Sequence, residues 1–192
     1  MALNWQEHLI LLGSQSPRRA ALLEEMGLQF RQAPADIKEH YPADLKGSEI
    51  AEYLAAKKAE ALKDLRKSHE ILLCSDTVVW LENQSLEKAS NRDEAMEMLT
   101  ALSGKTHEVI TGLYLGDGSK EILLHDRTKV KFKSLSLAEI EYYIEHFKPF
   151  DKAGAYGIQE WIGMIGIEAI EGSYFTVMGL PCHRIAAELQ KW

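Results

Sequence analysis

The fold is decided by residues 9–19, which read LILLGSQSPRR. The four aliphatic residues at the start predict a buried β-strand that ends at Gly13. Ser16 and Pro17 then form a common helix start, with the serine as N-cap and the proline at the first helical position. The segment therefore predicts a strand, a tight turn and a helix, the opening of an α/β fold.

The first turn of this predicted helix carries two cations, Arg18 and Arg19. The positive end of a helix dipole favours Asp or Glu, so two arginines there suit a bound anion. Phosphate oxygens could accept hydrogen bonds from free backbone N–H groups, from the arginines and from the hydroxyl of Ser14. Solvated arginines are the alternative, but Arg19 shares the apolar face with Leu22 and therefore needs a partner.

The composition of the chain is that of a globular protein. It has 192 residues, of which 46% are hydrophobic and 27% charged, enough for one core or for two lobes sharing a sheet. The net charge of −7 argues against a general nucleic-acid or membrane surface and makes a small basic pocket conspicuous. The sequence shows no membrane span and no signal-peptide pattern, so we expect a cytoplasmic protein without nucleic-acid or membrane partners.

A lysine interrupts the apolar face of the predicted helix at residues 48–67. Ile50, Leu54, Leu62 and Leu65 form an apolar stripe at helical spacing, and Lys58 occupies the position between Leu54 and Leu62. Its stem could be buried with the ammonium reaching solvent, or the ammonium could emerge into a cleft beside the sheet, which we favour. For an unpaired ammonium, Lys58→Ala is expected to leave stability unchanged or slightly raised.

An aspartate lies within the most strand-like part of the chain. Residues 71–80 are apolar and β-branched, except for Ser75, Asp76 and Thr77. Strands disfavour aspartate, and a buried carboxylate needs a partner or a metal. A turn is the alternative, but the run contains none of the usual turn formers Gly, Asn and Pro. We therefore expect Asp76 to be a catalytic or metal-binding residue.

Strands and helices alternate elsewhere, apart from a hairpin over residues 106–132 with its turn at Asp117. Residues 151–159 are rich in small side chains that let a backbone approach a ligand, although a flexible connector is the alternative. Residues 164–170 predict a further strand, and a helix ends the chain. The pattern predicts an α/β fold with a mixed sheet and two lobes, the hairpin belonging to the second.

Four segments together resemble the Maf family of nucleoside triphosphate pyrophosphatases: SQSPRR at 14–19, SDTVV at 75–79, DKAGAYGIQ at 151–159 and VMGLP at 177–181. The resemblance covers essentially the whole chain, residues 1–192, as one domain. It implies a two-lobed Maf/ITPase-like fold with a mixed sheet and a central cleft. It also implies hydrolysis of a nucleoside triphosphate to the monophosphate and pyrophosphate, assisted by a divalent metal cation, Mg²⁺ or Mn²⁺.

The resemblance assigns roles to individual residues. Asp76 matches the proposed general base of the family and, with Glu39, its metal site. Lys58 and Lys88 match the two lysines of its phosphate cleft, and the resemblance implies a catalytic role for both. The substrate-binding residues are Ser14, Arg18, Arg19, Thr77, Lys152 and Gln159.

Three of these residues bear on the substrate. Arg18, Thr77 and Gln159 match the positions that mark the subgroup acting on dTTP and UTP, whereas the 7-methyl-GTP subgroup has other residues there. A glutamine side chain offers both a donor and an acceptor to the edge of uracil or thymine.

The sequence departs from the family pattern in two places. Glu87 and Ala89 flank Lys88 where the family usually has Gly and Pro, and Glu160 follows Gln159 where it usually has Gly. Each departure adds a carboxylate close to a site for a polyanion and is expected to act against its binding.

Two other functions are compatible with the residues. The first is a non-catalytic nucleotide-binding regulator of cell division that acts through a protein partner; the second is a pyrophosphatase for a modified purine triphosphate. Binding alone needs only cations, so the presence of Asp76 and Glu39 argues against the first, whereas Thr77 and Gln159 argue against the second. The sequence leaves the oligomeric state open, and a homodimer is one compatible assembly.

Overall fold

The computed structural model describes residues 3–192, in which seven strands form one mixed sheet. The strands are β1 (Leu9–Leu12), β2 (Gln29–Gln32), β3 (Glu70–Leu81), β4 (Gln84–Leu86), β5 (Thr106–Gly116), β6 (Glu121–Phe132) and β7 (Ile167–Glu171). Their order along the sheet is β2-β1-β3-β5-β6-β7, and β4 pairs with β3. The predicted mixed α/β fold is confirmed.

Helices connect these strands. They are α1 (Pro17–Glu25), α2 (Ser48–Leu62), α3 (Arg92–Leu102), α4 (Leu137–Phe147), α5 (Trp161–Gly166), α6 (Tyr174–Val177) and α7 (Cys182–Leu189). Between residues 3 and 192, none of them combines the length and the apolarity that crossing a membrane requires.

The opening segment folds as its sequence predicts. β1 pairs in parallel with β2 on one side and with β3 on the other, so α1 and α2 serve as crossover helices. Ser16 is the N-cap of α1 and Pro17 its first residue. Gly13 is required because a Cβ there would lie 2.3 Å from the sulfur of Cys74.

Two of the predicted elements need correction. α2 begins after Gly47, whose φ is 49°, and ends at Leu62, with only a short 3-10 turn beyond it. Residues 164–170 do not form one strand, because α5 continues to Gly166 and β7 begins at Ile167. Gly163 allows this short helix: its N–H donates to the carbonyl oxygen of Glu160 at 2.9 Å, and a Cβ there would lie 1.9 Å from the carbonyl oxygen of Ile158.

The chain divides into two compact units, whose boundary falls within β3, β5 and β6. The first unit comprises the chain up to Asp76 with Thr111–Asp126 and Gly179–Trp192, and the second comprises Thr77–Ile110 and Arg127–Met178. A buried cluster in the first unit contains Leu11, Ala33, Ala59, Leu62, Leu72 and Cys74. The larger cluster of the second unit includes Leu99, Phe132, Ile140, Tyr143 and Tyr156.

The hairpin formed by β5 and β6 does not belong wholly to the second unit. Its turn lies in the first unit, so the prediction that placed the whole hairpin in the second lobe is wrong. The C-terminus explains this: Trp192 donates to Asp117 at 2.8 Å, and the ammonium of Lys120 lies 4.4 Å from the centre of the Trp192 ring.

Candidate active site

The turn between β1 and α1 is built around a serine hydroxyl. The Ser14 side chain is buried, and its Oγ accepts a hydrogen bond from the backbone N–H of Ser16 at 3.1 Å and from the Arg19 guanidinium at 3.3 Å. The Ser16 side chain makes no capping bond to the backbone N–H groups in the first turn of α1. Those N–H groups and the helix dipole favour an anion at this turn.

Arg19 joins three separate segments of the first unit. Its Nε donates to the carbonyl oxygen of Gly179 at 2.8 Å, and its Nη1 donates to the carbonyl oxygen of Ser75 at 2.9 Å. Burial lowers the pKa of Arg19, and the charge of Asp76 opposes that shift. The guanidinium remains a cation, because arginine is not deprotonated in proteins. The partner that the sequence analysis required for Arg19 is therefore this set of carbonyl groups.

Gly179 connects the VMGLP segment (residues 177–181) with the SQSPRR and SDTVV segments. Its φ of 98° lies in a region that L side chains rarely adopt. The resulting turn directs its carbonyl oxygen at Arg19 and also at the hydroxyl of Ser75, which donates to it at 3.3 Å. The segment thus holds the cation in place from the C-terminal part of the chain.

Lys58 brings two carboxylates to one point. Its side chain is buried on α2, and its ammonium donates to Oε1 of Glu39 at 2.8 Å and, in a short contact, to Oδ1 of Asp76. The ammonium is therefore paired, and the assumption of an unpaired cation behind the expected effect of Lys58→Ala is wrong. Glu39 lies in the loop after β2, with 40% of its side chain exposed.

Asp76 lies in the middle of β3, and only 7% of the residue is exposed. Burial raises the pKa of its carboxyl, while Lys58 and Arg19 oppose the shift. A raised pKa makes the carboxylate a stronger base than an exposed aspartate. The turn considered as an alternative at this place does not occur, because β3 continues without interruption to Leu81.

A glycine that the sequence analysis did not single out brings α2 to the sheet. A Cβ at Gly112 of β5 would lie 2.2 Å from the carbonyl oxygen of Ala51 on α2. The helix faces the sheet there with alanines, of which Ala51, Ala55 and Ala59 are buried. This close approach allows the Lys58 side chain to reach Asp76. A glycine inside a strand was the available signal.

The second unit holds a separate group of predicted residues. Residues 152–154 run beside β4: Lys88 and Ala153 form an antiparallel bridge, and the Gly154 N–H donates to the carbonyl oxygen of Leu86 at 2.9 Å. Lys88 itself is exposed, as is Glu87, whereas Ala89 is buried in the core.

Lys152 is buried between two carboxylates. Its ammonium lies 2.7 Å from Oδ1 of Asp151 and 3.0 Å from Oε1 of Glu160. The other oxygen of Glu160 accepts a short hydrogen bond from the hydroxyl of Tyr143. The charge of Glu160 was expected from the sequence, whereas its partner Tyr143 was not, since nothing local to either residue connects them.

The predicted site residues thus fall into two groups. The first unit brings together Ser14, Arg19, Glu39, Lys58 and Asp76, with Arg18 close enough to lower the pKa of Arg19. The second unit contains Thr77, which directly follows Asp76 in β3, together with Lys88, Lys152 and Gln159. Across residues 3–192, no three His, Cys, Asp or Glu side chains converge as a ready-made metal site.

Comparisons with known proteins identify the family of the chain. The sequence model of the family described as "Maf-like protein" matches residues 9–192. A protein of Bacteroides thetaiotaomicron named dTTP/UTP pyrophosphatase is 44% identical over 190 residues, covering 98% of both chains. One of the same name from Cytophaga hutchinsonii is 48% identical over 183 residues, covering 95% of this chain and 83% of its own.

A solved structure supports the fold alone. The Ham1 protein of Staphylococcus aureus superposes with a TM-score of 0.50 at 13% identity, covering 95% of this chain and 98% of its own. At that identity the match concerns the mixed α/β architecture and not the residues of the site.

Proposed function

The chain belongs to the Maf-like protein family, and from this premise we propose that it hydrolyses dTTP and UTP to the monophosphate and pyrophosphate. The observation that carries the proposal is the cluster of the buried Asp76 and Lys58 with the loop residue Glu39, in the same unit as the Ser14–Arg19 turn. The names of the full-length relatives support the choice of substrates.

In this proposal the triphosphate binds at the start of α1. The Ser14 hydroxyl, the N–H groups of the first turn and the two arginines bind phosphate oxygens. Because two carbonyl groups hold Arg19, its guanidinium is already oriented before the substrate arrives. Lys88 and Lys152 supply further positive charge to the phosphates.

Asp76 acts as general base in the reaction. In the proposed step water attacks the α-phosphorus, the bond from this phosphorus to the oxygen that bridges it to the β-phosphate breaks, and pyrophosphate leaves with that oxygen. Asp76 takes the proton from this water, and its raised pKa makes the carboxylate a better acceptor. Lys58 orients the carboxylate through its hydrogen bond and stabilises the negative charge of the phosphates.

The residues fit a divalent cation that arrives with the substrate. Glu39 and Asp76 each direct one oxygen at the same ammonium, so two carboxylates converge without forming a closed cage. Mg²⁺ typically binds one or two carboxylates together with substrate phosphates. When bound, such an ion neutralises phosphate charge and acidifies water. We propose that Glu39 and Asp76 hold Mg²⁺ or Mn²⁺, while Lys58 then donates to phosphate oxygens.

The charges of the site residues in the first unit also favour binding of a metal cation. Arg18, Arg19 and Lys58 oppose Glu39 and Asp76, which leaves one net positive charge. A triphosphate carries about four negative charges, so these residues alone do not balance it.

We assign recognition of the nucleobase to Gln159, supported by Arg18 and Thr77. A site that hydrogen-bonds a base discriminates well, because a mismatched base leaves buried polar groups unpaired. The alternative of a modified purine triphosphate lacks such a match. A non-catalytic regulator, the other alternative, would have no use for a buried aspartate whose surroundings suit a general base.

The setting of the reaction follows from its substrates. Nucleoside triphosphates belong to the cytoplasmic pool, and we assign the protein to that compartment. A homodimer is part of the proposal, to be tested by light scattering in solution. The net charge of −7 favours a small-molecule substrate over a nucleic acid.

A panel of dTTP, UTP, CTP and GTP with Mg²⁺ or Mn²⁺, assayed for pyrophosphate, tests the proposal. CTP is the sharp control, because it has the size of UTP but an amino group in place of one carbonyl. We expect kcat/KM for dTTP and UTP to exceed that for CTP by about tenfold to a hundredfold. Stepwise release of phosphate would reject the pyrophosphatase, and equal kcat/KM for UTP, CTP and GTP would reject the pyrimidine preference.

A further inference from the structure

A continuous chain of polar contacts, two hydrogen bonds and an ion pair, runs through the second unit to Lys152. The backbone N–H of Gly157 donates to the hydroxyl oxygen of Tyr143 at 3.0 Å, and that hydroxyl donates to one oxygen of Glu160. The other oxygen of Glu160 lies 3.0 Å from the ammonium of Lys152. Tyr143 is fully buried, so the chain begins in the core.

The two carboxylates at Lys152 differ in how firmly they are held. The side chain of Asp151 is 59% exposed, whereas that of Glu160 is 19% exposed and anchored by Tyr143. Solvent screens the pair with Asp151 more strongly, so Glu160 is the partner that determines where the ammonium lies. Burial, followed by the hydrogen bond to Glu160, raises the pKa of Tyr143, which keeps its hydroxyl protonated as a donor.

The same anchor lies against Gln159. A Cβ at Gly157 would be 2.9 Å from Nε2 of Gln159 and 2.9 Å from the carboxyl carbon of Glu160. The amide of Gln159 and the carboxylate of Glu160 therefore pack on the same glycine, whose N–H is held by Tyr143.

We propose that Glu160 is a positioning residue of the substrate site: anchored by Tyr143, its carboxylate holds the Lys152 ammonium and the turn that carries Gln159. The inference rests on the proposed function, in which Lys152 and Gln159 contact the nucleotide. It reverses the expectation that Glu160 acts against binding of a polyanion. The negative charge of Glu160 is directed at Lys152 and fixes a cation in the geometry that binds phosphate.

Charge alone predicts the opposite result. Lys152, Asp151 and Glu160 together carry one net negative charge, so simple electrostatics predicts that neutralising Glu160 improves binding of a triphosphate. Positioning predicts that it weakens binding, because a lysine freed among its rotamers must be ordered again, a loss of about tenfold in affinity. The sign of the change in KM separates the two accounts.

The first experiment measures kcat and KM of the full chain for dTTP, UTP and CTP. In Glu160→Gln, which keeps an acceptor for Tyr143, we expect KM for dTTP to rise about tenfold, kcat to change less than about threefold, and the preference for UTP over CTP to shrink. Tyr143→Phe keeps both charges and should raise KM about threefold by loosening the anchor. The matched control is Glu168→Gln, an exposed carboxylate of β7 paired with Lys131, which should leave both constants unchanged.

The second experiment is a double-mutant cycle. Because the contribution through Lys152 is already lost in Lys152→Met, adding Glu160→Gln to that variant should raise KM for dTTP by much less than Glu160→Gln does in the wild type. Removing both partners leaves no buried unpaired charge, so this double variant remains testable if Glu160→Gln alone folds poorly.

Each outcome is decisive. A lower or unchanged KM in Glu160→Gln, or additive effects in the cycle, would overturn the positioning role. A wild-type protein that releases no pyrophosphate from any triphosphate would instead overturn the proposed function, so the two failures are distinguishable.

Discussion

The Nε atom of Arg19 donates a hydrogen bond to the carbonyl oxygen of Gly179 at 2.8 Å, although 160 residues separate them in the chain. The same guanidinium donates to the carbonyl oxygen of Ser75 at 2.9 Å. A planar guanidinium can serve two acceptors in fixed directions, which an ammonium cannot do with the same geometry. Arg19 thus fixes the conformation of the turn between β1 and α1 and also gives that turn a positive charge.

Arg19→Lys is accordingly predicted to affect both stability and activity. The positive charge remains, but the two carbonyl groups lose a donor, so the free energy of unfolding should fall by about 1–3 kcal/mol. We expect kcat/KM for dTTP to fall as well, since the turn loses its orientation. Denaturant unfolding and steady-state kinetics measure the two effects. Arg92→Lys, at an exposed pair with Glu141, is the control and should leave both unchanged. Wild-type stability in Arg19→Lys would contradict this role.

Asp76→Asn is predicted to keep the fold and nucleotide binding while losing turnover. The amide has almost the same shape and can still accept from Lys58, but it cannot take a proton. We expect kcat for dTTP to fall by about 10²–10⁴. Binding of a non-hydrolysable dTTP analogue, measured by calorimetry, checks that the site persists. An Asn variant that turns over dTTP at near the wild-type rate would rule out Asp76 as the base.

Lys58→Ala is predicted to destabilise the protein, in contrast to the expectation from sequence. Without the ammonium, Asp76 is a buried charge facing Glu39, a loss of about 2–4 kcal/mol at neutral pH. The folded-state pKa of Asp76, already raised by burial, rises further. A raised carboxyl pKa means that stability is retained at low pH and lost as pH increases, so the loss should be larger at pH 8 than at pH 5.

Urea unfolding at both pH values measures this effect. Lys63→Ala is the matched control, because Lys63 pairs with Glu60 at an exposed site. Equal stability of Lys58→Ala and wild type at pH 8 would show that the pair contributes nothing to folding.

Glu39→Gln is predicted to weaken metal dependence more than catalysis. The variant removes one of the two carboxylates proposed to hold the cation, so the Mn²⁺ concentration for half-maximal activity should rise about tenfold or more. At saturating Mn²⁺ most of kcat should return, since Asp76 is intact. Asp44→Asn, at an exposed position nearer α2, serves as the control. An unchanged Mn²⁺ requirement would remove Glu39 from the metal site.

His107 is predicted to make the protein acid-sensitive. It is 2% exposed, its Nε2 lies 2.7 Å from the Tyr156 hydroxyl, and burial lowers its pKa to about 4. The unfolded chain binds a proton below about pH 6.5 while the folded one does not, so stability is lost as pH falls from about 6.5 towards 4. The loss should reach about 3 kcal/mol at pH 4.

The pH dependence of unfolding in His107→Gln tests this assignment. The variant should lack this part of the slope, whereas His146→Gln, at an exposed position, should retain it. Identical slopes in wild type and His107→Gln would assign the acid sensitivity to other groups.

Local sequence was sufficient for much of the fold. The strand, turn and helix of residues 9–25 follow from backbone preferences, because Gly13, Ser16 and Pro17 each favour their own conformation. The burial of Lys58 followed from helical spacing, and the unusual position of Asp76 from its residue type within a strand. The strand predicted at residues 164–170 was wrong because a short apolar run with glycines suits a strand or a helix equally well.

The partners of the site residues were decided only by tertiary structure. No residue near Lys58 in the chain predicts that Glu39 and Asp76 accept its hydrogen bonds. The pairing depends on Gly112, which lets α2 lie close against the sheet. Conformational preferences act over a few residues and can be read along the chain. A hydrogen bond or an ion pair between distant segments depends on how whole elements pack, so the carboxylates at Lys58 and the anchor of Glu160 emerge only when the chain is folded.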